Sequence, residues 1–232
     1  PPPPTFQAED GIRDVAVGLV GSEMCIRDRD KAEAPAWAPG TLWQGLRQVQ
    51  AWLRSALGAL LLNRSAYRQV ANDPYMTGPA LLIAFLASLV DGLVTSQSLV
   101  EGVLVALARL VIWFLGVLVV FGAARLLGGS GSYTATLRGL GFAQGFYLLL
   151  LLAFVPAISS LVRLITSILV FVATWMAGLE AHDLHGWRAL LLPVARLLVV
   201  TIGIAVLGYL AMGAGFTIES LLRELGLLAP GP

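Results

Sequence analysis

The sequence predicts an all-α, multi-pass membrane protein with five transmembrane helices and an N-terminal amphipathic interfacial helix. Composition points there first: hydrophobic residues make up 57% of the 232 and charged residues only 12%, about half the charged share of an ordinary soluble domain. Run length points there next, because the apolar residues gather into stretches near the ~20 residues that carry a helix across a bilayer. The linkers are the third sign. Residues 139–155 and 164–179 are two such runs joined only by a turn at 156–160, which makes a membrane hairpin. A charged knot at 180–188 closes the second run.

The net charge of +1 excludes the basic footprint of a nucleic-acid-binding protein. A single cysteine excludes an intrachain disulfide and a cysteine-built zinc site. With the spans set aside, no segment is long enough for a sizeable soluble domain.

In chain order, residues 1–29 read as a non-native or disordered leader. The chain opens on four prolines without Met, as a fragment or a fused translation would. Residues 11–29 (GIRDVAVGLVGSEMCIRDR) resemble translated sequencing-adapter read-through, and on that reading Cys25 is not native. The weak apolar run 15–20 has acids beside it and lacks a secretory cleavage site.

Residues 30–77 hold a Pro/Ala linker and the interfacial helix. Leu42, Leu46, Val49, Leu53, Leu57 and Leu60 recur at spacings of three and four, which gathers them on one helical face over 41–62. Trp43 and Trp52 suit the headgroup level of a membrane. Ser65 is placed to cap a second short helix, which must stop near Asn72-Asp73-Pro74.

The membrane domain spans 78–213. Its expected helices run over about 78–94, 101–124, 138–156, 158–179 and 189–212, with a flexible glycine loop at 128–132. Residues 214–232 form a short extracytoplasmic tail, with a surface helix expected at 217–228. Arg47, Arg54, Arg64 and Arg68 precede the first span, Arg125 and Arg138 flank the second link, and Arg188 lies in the fourth. The first link has no Lys or Arg. This bias places the N-terminus in the cytoplasm and the C-terminus outside a cell (plasma) membrane.

Ionisable groups in or beside spans are costly and normally pair or line a path. Asp91, Arg109 and Arg163 are such groups, as are Glu180, Asp183, Arg188 and Arg196 at the other end. All seven are candidates for structural ion pairs. Two pairings are expected: Asp91 with Arg109 across the first link, and Glu180 with Arg196 across the fourth, leaving Asp183 for Arg138 or Arg188. His182, Asp183 and His185 are metal-ligating types, but without the HExxH spacing that puts two imidazoles on one face. A solvated, capped loop is the expectation there. Gly141 and Gly145 have the small-residue spacing of close helix contacts. Serines 159 and 160 have no base near them in sequence. No catalytic, cofactor or metal pattern emerges.

Three stretches carry a family resemblance: residues 63–67 (NRSAY) through 72–80 (NDPYMTGPA), residues 133–144 (YTATLRGLGFAQ), and residues 179–190 (LEAHDLHGWRAL). In this order, with these spans between them, they resemble the prokaryotic branch of the Ypt-interacting protein (Yip) family, over about 61–212. The third stretch departs from the family, having Gly186-Trp187 where a small-hydroxyl pair is common. The resemblance implies a five-span helical domain with a cytoplasmic N-terminus. Eukaryotic relatives are linked to Rab-type GTPases and vesicle traffic; only the architecture is carried over here.

Two functions compete. A non-enzymatic membrane scaffold or organiser fits the interfacial helix and short loops, with the lipid bilayer, a homo-oligomeric copy or other membrane proteins as partners. A small transporter or channel would use Asp91, Arg109 and Arg163. The discriminator is a polar cavity at mid-depth; with charges clustered toward span ends, the sequence favours the scaffold.

Overall fold

The computed structural model describes residues 35–213, and every regular element among them is helical. The expected leader 1–29 and tail 214–232 lie outside the described residues. Three short helices come first: α1 (Pro39–Arg47), α2 (Val49–Leu60) and α3 (Arg64–Asn72). Five further helices follow: α4 (Thr77–Thr95), α5 (Leu99–Leu126), α6 (Tyr133–Ala143), α7 (Ser159–His182) and α8 (Trp187–Gly213). Residues Gln144–Phe154 continue α6 as a 3₁₀ helix.

Four segments among the described residues are long and apolar enough to cross a membrane: Pro74–Thr95, Leu99–Leu126, Tyr133–Phe154 and Pro156–His182. α8 is a further helix of 27 residues packed against α5 and α7. The segment built on α6 is the central one. Of its most apolar stretch 67% is buried, against 28% for α5 and 22% for α7, so those two turn most of their surface outward.

Helix ends follow local chemistry. Ser98 and Glu101 form a reciprocal capping box at the start of α5: Glu101 N donates to Ser98 Oγ at 3.2 Å, and Gln97 N donates to Glu101 Oε2 at 3.2 Å. Ser132 caps α6 through Ala135 N at 3.1 Å. At α3 the cap is Asn63 rather than the expected Ser65. Asn63 Oδ1 accepts from Ser65 N at 3.0 Å and from the Ser65 hydroxyl at 2.8 Å, so the shorter hydroxyl only supports the cap. α7 runs on through Glu180 and His182 and ends at Asp183, which takes the left-handed conformation with φ 53°. Half of the expected loop is therefore helix.

The expected helix over 41–62 is two helices, broken at Gln48 (φ −80°, ψ 53°). The break lets α1 follow the end of α4 while α2 turns toward α3. Gly45 sits where a β-carbon would collide with the Tyr75 carbonyl, so only glycine permits that approach. The faces also divide in an informative way. Thr41, Gly45, Ser55 and Ala59 pack inward, whereas Val49, Leu53 and Leu57 of the apolar row are exposed, Leu57 at 62%. Half of the apolar row, all of it in α2, thus turns away from the bundle, while Leu42, Leu46 and Leu60 are half-buried.

Tyr67 of α3 anchors this outer layer. It is fully buried, its hydroxyl donates to the Ala59 carbonyl at 3.2 Å, and burial pushes its phenol pKa upward. Beneath it the core runs through Val70, Ile83, Val117, Val120, Leu137, Leu140 and Phe142. Gly141 touches α4 so closely that a β-carbon there would lie 2.7 Å from both Ala80 Cβ and its carbonyl oxygen. Gly145 has no contact of that kind.

Candidate functional site

The candidate site is a cavity of about 650 Å³ reached by all five long segments. Its polar wall has two parts. The first is Asp91 with Arg109: Arg109 Nη1 lies 2.7 Å from Asp91 Oδ2, the carboxylate side chain being 7% exposed and the guanidinium 44%. Small residues make this contact possible. A β-carbon on Gly92 would collide with the Gly102 carbonyl and Ala106, so α4 and α5 touch backbone to backbone just beside the pair. Arg109→Gln, which strands the buried Asp91, and Asp91→Asn, which leaves Arg109 unpaired within a membrane-crossing segment, should each lower stability in detergent. Adding Asp91→Asn to Arg109→Gln should restore part of the loss in a thermal melt. A double variant as unstable as the summed singles would argue against the contact.

The second part is built on Arg196. Its Nη1 donates to Thr174 Oγ1 at 3.0 Å. The Gln144 amide, turned with its oxygen toward the two donors, accepts from Arg196 Nη2 at 2.9 Å and from Trp113 Nε1 at 3.3 Å. The guanidinium lies over Gly116, where an added β-carbon would sit 2.9 Å from Nε. Trp113 is halfway along α5, and Gln144 stands where α6 changes to 3₁₀. Thr174 is roughly 12 Å, and Arg196 roughly 14 Å, from the nearer ends of α7 and α8, at 1.5 Å per residue. All four groups meet midway along their helices.

The expected Glu180–Arg196 pair does not form. Glu180, its side chain only 1% exposed, accepts from Arg64 Nε at 2.7 Å through Oε1 and from Arg68 Nε at 2.8 Å through Oε2. The two arginines are four residues apart on α3, so they share one face and close on the end of α7 like a clamp. Arg196 turns the other way because the missing side chain at Gly116 opens a slot for it.

The other candidates do not join these sites. Asp183, Arg188 and Arg163 are exposed and make no ion pair among the described residues. Arg138 is buried and bonds to Thr134, through Nε to the carbonyl at 3.1 Å, so Asp183 meets neither Arg138 nor Arg188. The charged knot is not a solvated loop either. His182 is buried and its Nε2 lies 2.7 Å from the Thr136 hydroxyl, while its carbonyl accepts from Ser130 N at 3.2 Å. It fastens the glycine loop to α6 and α7. Asp183 and His185 face outward, so the three metal-ligating residues do not converge.

Sequence reasoning missed Trp113, Gln144 and Thr174. Two signals pointed to them: an amide inside an apolar run at Gln144, and an arginine too deep in its helix to reach the edge at Arg196. The charges therefore do not all cluster toward helix ends, which corrects the premise on which the scaffold was preferred.

The Yip1 domain matches residues 57–207, from late in α2 into α8. No curated protein and no solved structure matches the chain.

Proposed function

The chain belongs to the Yip1 domain family, and on that premise we propose that it is a non-enzymatic membrane organiser of the prokaryotic branch. Residues 78–213 form its five-span domain, α8 being the fifth span, and 30–77 hold a linker and a collar of amphipathic helices on the cytoplasmic leaflet; 214–232 are a short extracytoplasmic tail. The observation that carries this reading is the apolar surface that α1 and α2 leave outward, Trp43, Val49, Leu53 and Leu57, with Trp43 and Leu57 each 62% exposed. Helices with small residues on protein and such side chains outward suit the boundary of headgroups and acyl chains. The Glu180 clamp holds that collar through α3. The lightly buried faces of α5 and α7 are surfaces for lipid, a second copy or other membrane proteins.

The test of the organiser role is cross-linking in native cell membrane followed by identification of neighbours. The expected result is a reproducible set of protein neighbours that is lost when the collar is released by Arg64→Gln with Arg68→Gln. Neighbours no different from a lipid-only background would contradict it. Orientation has its own check. With Cys25→Ser as background, single cysteines at Ser98 and Ser220 should react with an impermeant thiol reagent added outside, and those at Ser130 and His185 should not. Outside labelling of position 130 would reverse the topology.

The cavity favours a second reading, a small transporter or channel using Asp91, Arg109 and Arg163. It predicts solute flux in proteoliposomes that Asp91→Asn abolishes.

A further inference from the structure

We propose that the cavity binds one amphiphilic anion, an acyl chain ending in a carboxylate or phosphate group, with the anionic end on Arg196 and the chain along α7 and α8. Three observations carry it. The first is charge. The cavity wall holds Asp91, Arg109 and Arg196. Asp91 is taken by Arg109 at 2.7 Å, whereas the acceptors of Arg196 among the described residues are a hydroxyl and an amide oxygen. One positive charge is left over. A cation held midway along a membrane helix by neutral groups alone is costly, and an anion compensates it. Its guanidinium has five N–H donors, and two are spent on protein. The remaining ones suit the oxygens of a carboxylate or phosphate.

The second observation is lining. Around this polar end the wall is Ile112, Ile168, Phe171, Pro193, Leu197 and Val200, which suits hydrocarbon and not a hydrated ion. The third is size. A cavity of about 650 Å³ falls within the ~300–1,000 Å³ of ordinary ligand pockets. An apolar pocket with a few convergent polar groups is the usual form of a small-molecule site. The proposal is independent of the organiser role, because it concerns what fills the bundle and not what gathers around it.

The ligand could come from two sources, a free fatty acid or an anionic lipid of the bilayer, and the test separates them. The full chain is placed in phosphatidylcholine nanodiscs and exposed to one of three diazirine probes: oleate, phosphatidic acid or monoolein, the last being neutral. Cross-linked positions are mapped by mass spectrometry. The expected result is labelling at Ile112, Phe171 or Val200 by oleate, by phosphatidic acid, or by both, and little by monoolein. Oleate alone would identify a free fatty acid and phosphatidic acid a membrane lipid. Arg196→Gln should lower cavity labelling about tenfold, the scale of one lost charge-assisted contact, and Arg196→Lys should retain part of it. Labelling of the outward-facing Leu151 should not change. Should Arg196→Gln fail to fold, competition in the unaltered protein decides: excess unlabelled oleate should displace the probe and monoolein should not. Equal labelling by the neutral probe, equal competition by monoolein, full displacement by inorganic phosphate alone, or unchanged labelling in a folded Arg196→Gln protein would each overturn the proposal.

Discussion

Replacing Arg64 and Arg68 together by Gln should lower stability in detergent by about 3 kcal/mol, and replacing Glu180 by Gln should lower it by less. The asymmetry follows from who is buried. The Glu180 side chain is 1% exposed, while Arg64 and Arg68 are 57% and 64% exposed. Losing both arginines strands a carboxylate inside the protein, which for a buried pair costs about 3–5 kcal/mol. The lower end applies here because the arginines touch solvent. Losing Glu180 leaves two guanidiniums that water or headgroups can solvate, and the loss is that of the hydrogen bonds, roughly 1–2 kcal/mol. Single arginine variants should be mild, since one partner remains. The triple variant should resemble Glu180→Gln. Chemical or thermal unfolding followed by far-UV circular dichroism reads all of these. A Glu180→Gln variant less stable than the double arginine variant would show that the carboxylate is not the dependent partner.

A methyl group at Gly116 should destabilise the bundle through the hydrogen bonds it displaces, not through a backbone collision. In Gly116→Ala the new carbon would stand 2.9 Å from Arg196 Nε. The guanidinium is the end of a flexible side chain, so it moves aside, and its bonds to Thr174 and Gln144 are what is lost. Hydrogen bonds to a charged group are worth roughly 1.5–3 kcal/mol each. The cost should fall to near zero in an Arg196→Ala background, where there is nothing to displace. Equal costs in both backgrounds would mean that Gly116 serves helix contact and not Arg196.

Much of the helical architecture was legible in the sequence, because its signals are local. Apolar runs mark the long segments, and Asn72-Asp73-Pro74 marks the end of α3, whereas α6 begins at Tyr133, ahead of the start expected near 138. Asp91 and Arg109 stand on neighbouring helices joined by a three-residue link, so chain order alone puts them within an arginine's reach. The Glu180 partners were not legible in the same way. They lie 116 and 112 residues away, and no local pattern says that α3 folds back on the end of α7. Arg196, a cation too deep in the next helix to reach the edge unaided, was the natural but mistaken choice. The leucine row of α1 and α2 was visible as periodicity, yet periodicity cannot say whether such a face meets protein or lipid. The cavity was invisible for a related reason. Its polar residues are single letters in five separate apolar runs, and only packing brings Trp113, Gln144, Thr174 and Arg196 together.

The separation of Arg196 from Glu180 is the claim on which both the clamp and the cavity depend, and a pair of double-mutant cycles tests it directly. One cycle combines Glu180→Gln with Arg68→Gln, and the other combines Glu180→Gln with Arg196→Gln, each followed by unfolding in detergent. Residues in one contact couple by about 0.5–3 kcal/mol, while distant ones add within a few tenths. The expected result is clear coupling between Glu180 and Arg68 and additivity between Glu180 and Arg196. Coupling between Glu180 and Arg196, with additivity between Glu180 and Arg68, would place the cation at the bundle's end and contradict the account.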